Sequence, residues 1–305
     1  MDELTKAFYE ERFEKFFLKN KGLSFQDFFS EIMEKNYPAD FIRVRPWGNI
    51  GDRKCDGYLK SKRILFQVYA PNELTLADTI TKIDQDFQGA LPFWKLYFNT
   101  WIFVHNSRDG LSPDVTAKLL SLERVDSSLA ISSWGYEEIR HEVFQLPENE
   151  LIQLLGTAPS NRAMAQLRYE DIRVVLINVS KQEQPAINEI RPVPGDKIKY
   201  NLLSNNVEIM LSSGMRKANL VKDFFRDHPD PRFGDRVAKK FNEKYREIQK
   251  IVFDPDEIFL QLQDFTAGES RSTPGIECAT LAVLAYLFEE CEIFERPPEF
   301  QGEKR

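Results

Sequence analysis

Residues 51–71 read GDRKCDGYLKSKRILFQVYAP, and this stretch decides the fold of the first half of the chain. Asp56-Gly57 is a turn-forming pair, and a short basic segment separates residues 57–59 from the apolar run 64–69. Both runs favour strands, so they predict two adjacent strands joined by a hairpin. Side chains alternate along a strand, which places Gln67 and Tyr69 on the same face of the sheet.

Helix and strand patterns alternate around this hairpin. Helical spacing of apolar residues marks residues 3–19, 25–35, 76–90, 113–122 and 136–143. Further strands are predicted at residues 41–45, 100–105 and 129–134. The order α-α-β-β-β-α-β-α-β-α predicts an α/β domain in residues 1–155, with a mixed sheet and helices on both faces.

The second half of the chain has a different texture. Gly156, Pro159 and Ser160 make residues 151–161 the predicted linker. Residues 173–179 are predicted to form one strand. Helices are predicted at residues 198–212, 218–226, 237–251, 255–262 and 276–288. Residues 165–305 are therefore predicted to form a second, mainly α-helical domain.

Composition excludes several classes of protein. With 42% hydrophobic and 29% charged residues, the chain is expected to fold rather than remain disordered. Its apolar runs are too short to span a bilayer and its charged N-terminus is unlike a signal peptide, so we expect a cytoplasmic protein without membrane contact. The three Cys are widely spaced and predict neither a zinc ribbon nor a disulfide framework.

The net charge of −7 argues against a protein that coats nucleic acid by bulk charge, but cations are concentrated near the hairpin. Only Asp52 and Asp56 oppose the basic residues between positions 43 and 63, which are Arg43, Arg45, Arg53, Lys54, Lys60, Lys62 and Arg63. Basic residues beside carboxylates suit a phosphodiester substrate. A solvated hairpin on an acidic surface is the alternative interpretation.

The residue types on these strands match part of a metal-dependent phosphodiesterase site. Such a site holds Mg²⁺ with oxygen ligands and offsets charge at the phosphate, often with a lysine. Asp56 supplies a carboxylate next to Gly57, which permits close backbone approach. Gln67 offers a neutral carbonyl oxygen, and Tyr69 has no positive charge.

Asp56, Gln67 and Tyr69 resemble the motif of the PD-(D/E)xK, or restriction-endonuclease-like, nucleases, over the first half of the chain. The resemblance implies that Asp56 is the motif's Asp and Gln67 its Glu/Gln, as in Mrr-like branches, while Tyr69 stands where Lys is expected. Glu31 matches the acid of an early helix. Lys82, or secondly Lys54, would replace the missing lysine. The implied activity is DNA cleavage with Mg²⁺ or Mn²⁺, with Asp52 or Glu31 completing the metal shell.

Each of these residues also has a structural interpretation. Asp-Gly before a strand is often only a turn, and Asp52 would cap that turn. Lys82 with Asp84 and Asp86 would be a solvated helix face, and Glu31 a surface residue. His105, at the end of a predicted buried strand, would be a hydrogen-bonded structural histidine.

The second half carries another resemblance. The segments KIKYNLLSNNVEIML, VKDFF and LAVLAYLFEECEIFERP are similar to the C-terminal domain of ABC-three-component systems, over approximately residues 165–305. These are Lamassu-related prokaryotic anti-phage systems. The resemblance implies an effector that works with an ABC-type ATPase and a small middle component. A helical domain ending in an acidic, apolar helix suits partner docking, although that helix would equally serve as core.

Three hypotheses follow. The first is a defence effector whose N-terminal domain cleaves DNA and whose C-terminal domain binds the ATPase and further copies of the chain. The second is a DNA-binding or scaffold subunit with an inactive nuclease domain, and the third is a purely structural adaptor. Because the chain lacks GxxxxGK[ST], any dependence on ATP is expected to come from the partner.

Overall fold

The computed structural model describes residues 1–45, 53–124, 128–180, 197–268, 273–290 and 293–295. The chain divides into two compact units, Phe13–Leu154 on the one hand and Met1–Arg12 with Leu155–Arg305 on the other. We call them the sheet unit and the helical unit. Residues 1–12, predicted as part of the N-terminal domain, thus group with the helical unit.

The sheet unit has the predicted order of elements. Its helices are α1 (Glu3–Lys19, from Phe13 onward), α2 (Leu23–Asn36), α3 (Leu76–Trp94), α4 (Pro113–Glu123), α5 (Tyr136–Gln145) and α6 (Glu148–Leu155, up to Leu154). Its strands are β1 (Phe41–Arg43), β2 (Gly57–Leu59), β3 (Ile64–Tyr69), β4 (Thr100–His105) and β5 (Ala130–Trp134). The helix α6 includes the first residues of the predicted linker.

The five strands form one mixed sheet in the order β1-β2-β3-β4-β5. The first three strands are antiparallel, and β3, β4 and β5 are parallel to one another. In the parallel pairing of β3 with β4, Gln67 lies opposite Phe103 and Tyr69 opposite His105. The mixed sheet predicted from the sequence is confirmed.

Helices cover both faces of this sheet, as predicted. On one face Leu65, Trp101 and Phe103 pack with Ile83 and Phe87 of α3 in a buried apolar cluster. On the other face Phe66 contacts Phe29 of α2, with ring centroids 5.4 Å apart. Because side chains alternate along β3, Gln67 and Tyr69 share the α3 face with Leu65. Alternation therefore places both polar residues between β3 and α3.

The helical unit is mainly α-helical, as predicted. Its helices after α6 are α7 (Asn161–Gln166), α8 (Tyr169–Ser180), α9 (Lys197–Tyr200), α10 (Asn205–Met215), α11 (Ala218–Asp227), α12 (Phe233–Gln249), α13 (Pro255–Ala267) and α14 (Pro274–Glu289). The strand predicted at residues 173–179 was wrong, since these residues belong to α8. Ile172, Val175, Leu176 and Val179 are buried at helical spacing, which outweighs their β-branched character. The helix predicted at 198–212 is divided between α9 and α10.

The centre of the helical unit is α14, whose residues from Glu277 to Ala285 are all buried. It packs closely on α10, because a Cβ added to Gly214 would lie 2.3 Å from the carbonyl oxygen of Leu281. Residues 1–12 are tied to this unit by the Thr5 hydroxyl, which donates to the Pro159 carbonyl at 2.9 Å, and by an ion pair of 3.0 Å between Arg12 and Asp264. These contacts explain why they group with it.

Among the described residues, no helix combines the length and the apolar character needed to cross a bilayer.

Candidate functional site

Asp56 lies just before β2 and is buried, with 3% of its surface exposed. Its backbone N–H donates to Phe66 and its carboxylate accepts the N–H of Val68 at 2.7 Å, so it is bonded on both sides of Gln67. The other carboxylate oxygen accepts from the Gln26 amide of α2 at 2.6 Å. Asp56 is therefore more than a turn former, because it fixes the end of the β2–β3 pair and connects it to α2.

Gln67 is also buried, at 3% exposure, and its Oε1 has no hydrogen-bond partner among the described residues. A buried acceptor without a partner costs about 1–3 kcal/mol, so such an atom calls for an explanation. A buried oxygen without a hydrogen-bond partner does not by itself mark a site, because Gln263 Oε1 in the helical unit also lacks a partner among the described residues. Gln67 differs in being next to Asp56 and on the same sheet face as Tyr69.

Two lysines meet on one buried carboxylate of α3. Asp86 has no exposed surface, and its Oδ1 lies 3.0 Å from Lys54 Nζ while its Oδ2 lies 2.7 Å from Lys82 Nζ. The lysine side chains remain 41% and 30% exposed. The stem of Lys54 crosses Gly89, where an added Cβ would meet its Cγ at 2.8 Å. We call Lys54 and Lys82 the lysine pair. Together with the Asp86 carboxylate they carry one net positive charge, on side chains that reach solvent.

Tyr69 connects this group to β3. The Lys82 ammonium lies 6.0 Å from the centre of the Tyr69 ring, within the range of a cation–π contact. Burial raises the pKa of the Tyr69 hydroxyl, and the negative charges of Asp78 and Asp86 raise it further. The position where the nuclease motif has lysine is thus occupied by a neutral tyrosine with a lysine of α3 beside it.

Of the two other predicted metal ligands, only Glu31 lies among the described residues, and its ion pair is elsewhere. Glu31 is exposed on α2 and pairs at 3.7 Å with Lys35, which also binds Glu150. Asp52 lies outside the described residues, whose side chains include no cluster of three or more His, Cys, Asp or Glu suited to a metal. The donor types that fit a hard cation here are the Asp56 carboxylate and the orphaned Gln67 oxygen.

The predicted basic patch is divided between the two ends of β3. Lys60, Lys62 and Arg63 belong to the β2–β3 hairpin, and Gln67 lies about 13 Å further along the strand at the usual rise per residue. The guanidinium of Arg63 donates to the carbonyls of Leu96 and Tyr97. The hairpin cations are therefore separate from the lysine pair.

The remaining cations lie toward the Asp56 end, and most are engaged. Arg43 pairs with Asp27, and Arg53 lies over the ring of Phe93 at 3.9 Å. Arg45 is exposed. Burial lowers the pKa of Arg43, with a further decrease from the nearby charge of Arg45. Several of the cations counted in the sequence are therefore engaged within the protein.

His105, at the end of β4, is buried at 3% exposure, and this burial lowers its pKa to about 4. Its Nδ1 accepts the backbone N–H of Ser107, so the ring is neutral at pH 7. The ring lines a crevice of about 490 Å³ at the carboxyl ends of β4 and β5, together with Arg108 and Tyr136. The Arg108 guanidinium is held by Glu14 at 2.9 Å. The burial and the hydrogen bond of His105 agree with its structural interpretation.

Two residues of the site were not identified from the sequence. Gln26, rather than Glu31, reaches Asp56 from α2, and Asp86 is a buried anchor rather than part of a solvated helix face. A signal existed for both. Asp86 is spaced from Ile83 and Ala90 as on the apolar stripe of α3, and Gln26 is three residues before the buried Phe29.

No curated protein and no solved structure matches the chain. One family model does match, over the second half. Residues 170–295, which cover α8 to α14, match the model of C-terminal domain 10 of the ABC-three component systems, and this match suggests a component of a prokaryotic defence system.

Proposed function

We propose that the chain is an effector of such a defence system and that its sheet unit is a metal-dependent DNA endonuclease acting in the cytoplasm. The observation that carries the proposal is the convergence of Lys54 and Lys82 on Asp86, beside Tyr69. These two lysines supply the positive charge that the strand itself lacks. The antiparallel β1-β2-β3 meander followed by α3 and the parallel β4 also supports a restriction-endonuclease-like arrangement.

The proposed metal is Mg²⁺ or Mn²⁺, and Asp56 and Gln67 would hold it through oxygen atoms. When bound, the metal would lower the pKa of a water and offset charge on the phosphate. The hydrogen bonds from Gln26 and Val68 fix the orientation of the Asp56 carboxylate. Asp56 is thus preorganised for the proposed task.

The lysine pair would stabilise the negative charge that develops on the phosphate. Both side chains are partly exposed, so their ammonium groups can reach a bound strand without unfolding of α3. Asp86 holds the two cations together, which would otherwise repel each other. In this proposal Asp86 is a positioning residue, and Lys54 and Lys82 contact the substrate.

The helical unit would bind an ABC-type ATPase and a small middle component, and further copies of the chain. The match of residues 170–295 to a C-terminal domain of three-component systems supports this part of the proposal. Control of cleavage by the ATPase would follow from that assembly.

Plasmid cleavage tests the proposal. Supercoiled DNA is incubated with the protein and Mg²⁺ or Mn²⁺, alone and with the partner ATPase. We expect nicking or linearisation by the wild type and a loss of about 100-fold or more in Asp56→Asn, because a neutral amide replaces the main charged ligand. The matched control is Glu31→Gln, which removes the charge of another predicted ligand. It should retain activity, because Glu31 is exposed and pairs with Lys35. Equal cleavage by Asp56→Asn and the wild type would reject this site.

A second candidate function is an inactive, DNA-binding scaffold subunit. It is favoured by one observation, namely that both Asp56 oxygens already accept hydrogen bonds within the protein. This candidate predicts salt-dependent DNA binding without cleavage under any metal or partner condition. The plasmid experiment combined with a salt titration of DNA binding separates the two candidates.

A further inference from the structure

The end of α3 and the turn that follows it present large apolar side chains to solvent. Phe93, Leu96 and Tyr97 are 46%, 85% and 57% exposed, and Phe93 lies about one helical turn before Tyr97. We call these three residues the aromatic surface. Exposed apolar patches of this kind mark binding sites.

The aromatic surface is held rigidly. The carbonyl of Tyr97 accepts hydrogen bonds from the Tyr58 hydroxyl at 2.6 Å and from Arg63 Nε at 3.0 Å. The indole of Trp94 donates to the carbonyl of Arg53 at 3.1 Å and stacks with Tyr58. Tyr58 of β2, Arg63 of the β2–β3 turn and the Arg53 carbonyl therefore fix the segment that carries the exposed rings, which lowers the entropy cost of binding to them.

Cations surround these rings. The Arg53 guanidinium lies 3.9 Å from the Phe93 ring centre, and the guanidinium of Arg63 donates to the carbonyls of Leu96 and Tyr97. Lys60 and Lys62 are exposed on the same hairpin as Arg63. The nearby carboxylate of Asp40 is engaged by the Ser61 hydroxyl and backbone. The surface therefore combines partly exposed aromatic rings with positive charge.

The aromatic surface also continues the helix face that carries the lysine pair. Lys82, Asp86, Gly89 and Phe93 follow one another at spacings of four, three and four residues, which places them along one stripe of α3. Asp86 and Phe93 are about 10 Å apart along the helix axis. The partly exposed Lys54 and Lys82 therefore lie along α3 from the exposed rings, within reach of the same bound strand.

We infer that the aromatic surface binds unpaired nucleotides of a nucleic-acid strand, with bases stacked on Tyr97 and Phe93 and phosphates contacted by Arg53, Lys60, Lys62 and Arg63. The chemistry is that of single-strand binding, in which aromatic rings stack on bases and cations follow the backbone. In a duplex the faces of internal bases are already stacked, so exposed rings select for unpaired ones. The inference rests on the proposed function in taking nucleic acid as the substrate, and it adds that the substrate is at least partly single-stranded.

Fluorescence anisotropy with a labelled 20-nucleotide oligothymidine and a duplex of equal length tests the inference, in EDTA so that no cleavage occurs. We expect Tyr97→Ala to weaken single-strand binding by about 5- to 100-fold, the effect of losing one stacked base, and duplex binding by less than about twofold. The matched control is Tyr200→Ala in the helical unit, since Tyr200 is 50% exposed, and it should bind like the wild type.

Replacing Lys60 and Lys62 by Gln should weaken both ligands equally and reduce the dependence of binding on salt. Unchanged single-strand binding in Tyr97→Ala, or equal losses for single strand and duplex, would overturn the inference. Failure of the wild type to bind the oligothymidine would overturn it too, while metal-dependent duplex cleavage would still support the proposed endonuclease. Conversely, selective single-strand binding without any cleavage would support the inference and reject the endonuclease.

Discussion

Asp86 in the sheet unit and Lys197 in the helical unit are both buried charged residues, but their partners differ in kind. Lys197 is 1% exposed and donates to the backbone carbonyls of Phe288 at 2.8 Å and Ile293 at 2.5 Å. It closes the C-terminal end of α14 with fixed acceptors. Asp86 instead binds two long side chains that reach solvent. The first arrangement stabilises a helix end, whereas the second presents charge that can exchange partners.

The two units also differ in which of them matches a known family and which contains the candidate site. The helical unit contains the residues that match a family model, and its buried polar groups, such as Lys240 donating to the Val179 carbonyl, connect elements of its core. The sheet unit has no such match, yet it contains Asp56, Gln67 and the lysine pair. The match therefore indicates the kind of system, and side-chain geometry indicates where chemistry is to be sought.

The largest expected effect concerns the sheet unit. Replacing both Lys54 and Lys82 by Met leaves the buried Asp86 carboxylate without its cations and should lower the free energy of unfolding by about 3–5 kcal/mol. Each single substitution should cost less, because one cation remains. Urea unfolding measures the change.

A matched control for this variant is Lys118→Met. Its partner Asp84, also on α3, is 45% exposed, so the loss should not exceed about 1 kcal/mol. Adding Asp86→Asn to the double variant should restore most of the lost stability. A double variant as stable as the wild type would show that Asp86 does not depend on the two lysines.

The next effect concerns the packing of the helical unit. Gly214→Ala forces a methyl group against the Leu281 carbonyl of α14 and should cost about 2–3 kcal/mol. Gly275→Ala is the control, because its added Cβ would meet its nearest atom at an ordinary 3.7 Å. Thermal unfolding of both variants tests whether close α10–α14 contact, rather than a buried charge, is what holds this unit together.

The third effect is a pH dependence of the sheet unit. Burial lowers the pKa of His105 from 6.5 to about 4, so the unfolded chain takes up a proton at higher pH than the folded one. Stability is therefore full above pH 6.5 and falls with decreasing pH, by about 2 kcal/mol from this residue at pH 5.

Urea unfolding at pH 7 and pH 5 measures this contribution. His105→Gln should reduce the pH dependence, and the exposed His141→Gln should leave it as in the wild type. Equal slopes in all three proteins would show that His105 is not held neutral by burial.

The smallest effect separates stability from activity at Gln67. Gln67→Leu removes the orphaned oxygen at similar volume and should change the free energy of unfolding by less than about 1 kcal/mol, with stabilisation expected. The same variant should cleave plasmid DNA more slowly, because a proposed ligand is lost. A clear loss of stability would indicate that Gln67 serves the packing of β3 against α3.

The fold was predictable from the sequence where hydrophobic period and element order agree. Continuous apolar residues in β4 and the alternation around Gln67 and Tyr69 predicted the sheet. The strand predicted at residues 173–179 was wrong because β-branched residues there follow a helical period, and packing of that face outweighs β propensity.

The candidate site was only partly predictable. Asp56 and Gln67 were proposed as site residues from a local motif and stay a prediction, but the partners of a side chain depend on contacts between residues far apart in the chain. Gln26 of α2 meets Asp56 across 30 positions, and Lys54, which precedes β2, meets Asp86 of α3. The charge count likewise gave the number of cations near the hairpin but not their division between the two ends of β3.

The most direct test of a metal site at Asp56 is a titration of the metal-free protein with Mn²⁺ in an isothermal titration calorimeter, in the absence of DNA. We expect saturable binding by the wild type, its loss in Asp56→Asn, and its retention in Asp40→Asn, whose carboxylate lies at the hairpin and accepts hydrogen bonds from Ser61. Identical titrations of the wild type and Asp56→Asn, or no saturable binding by the wild type, would contradict a metal site on the β2–β3 pair.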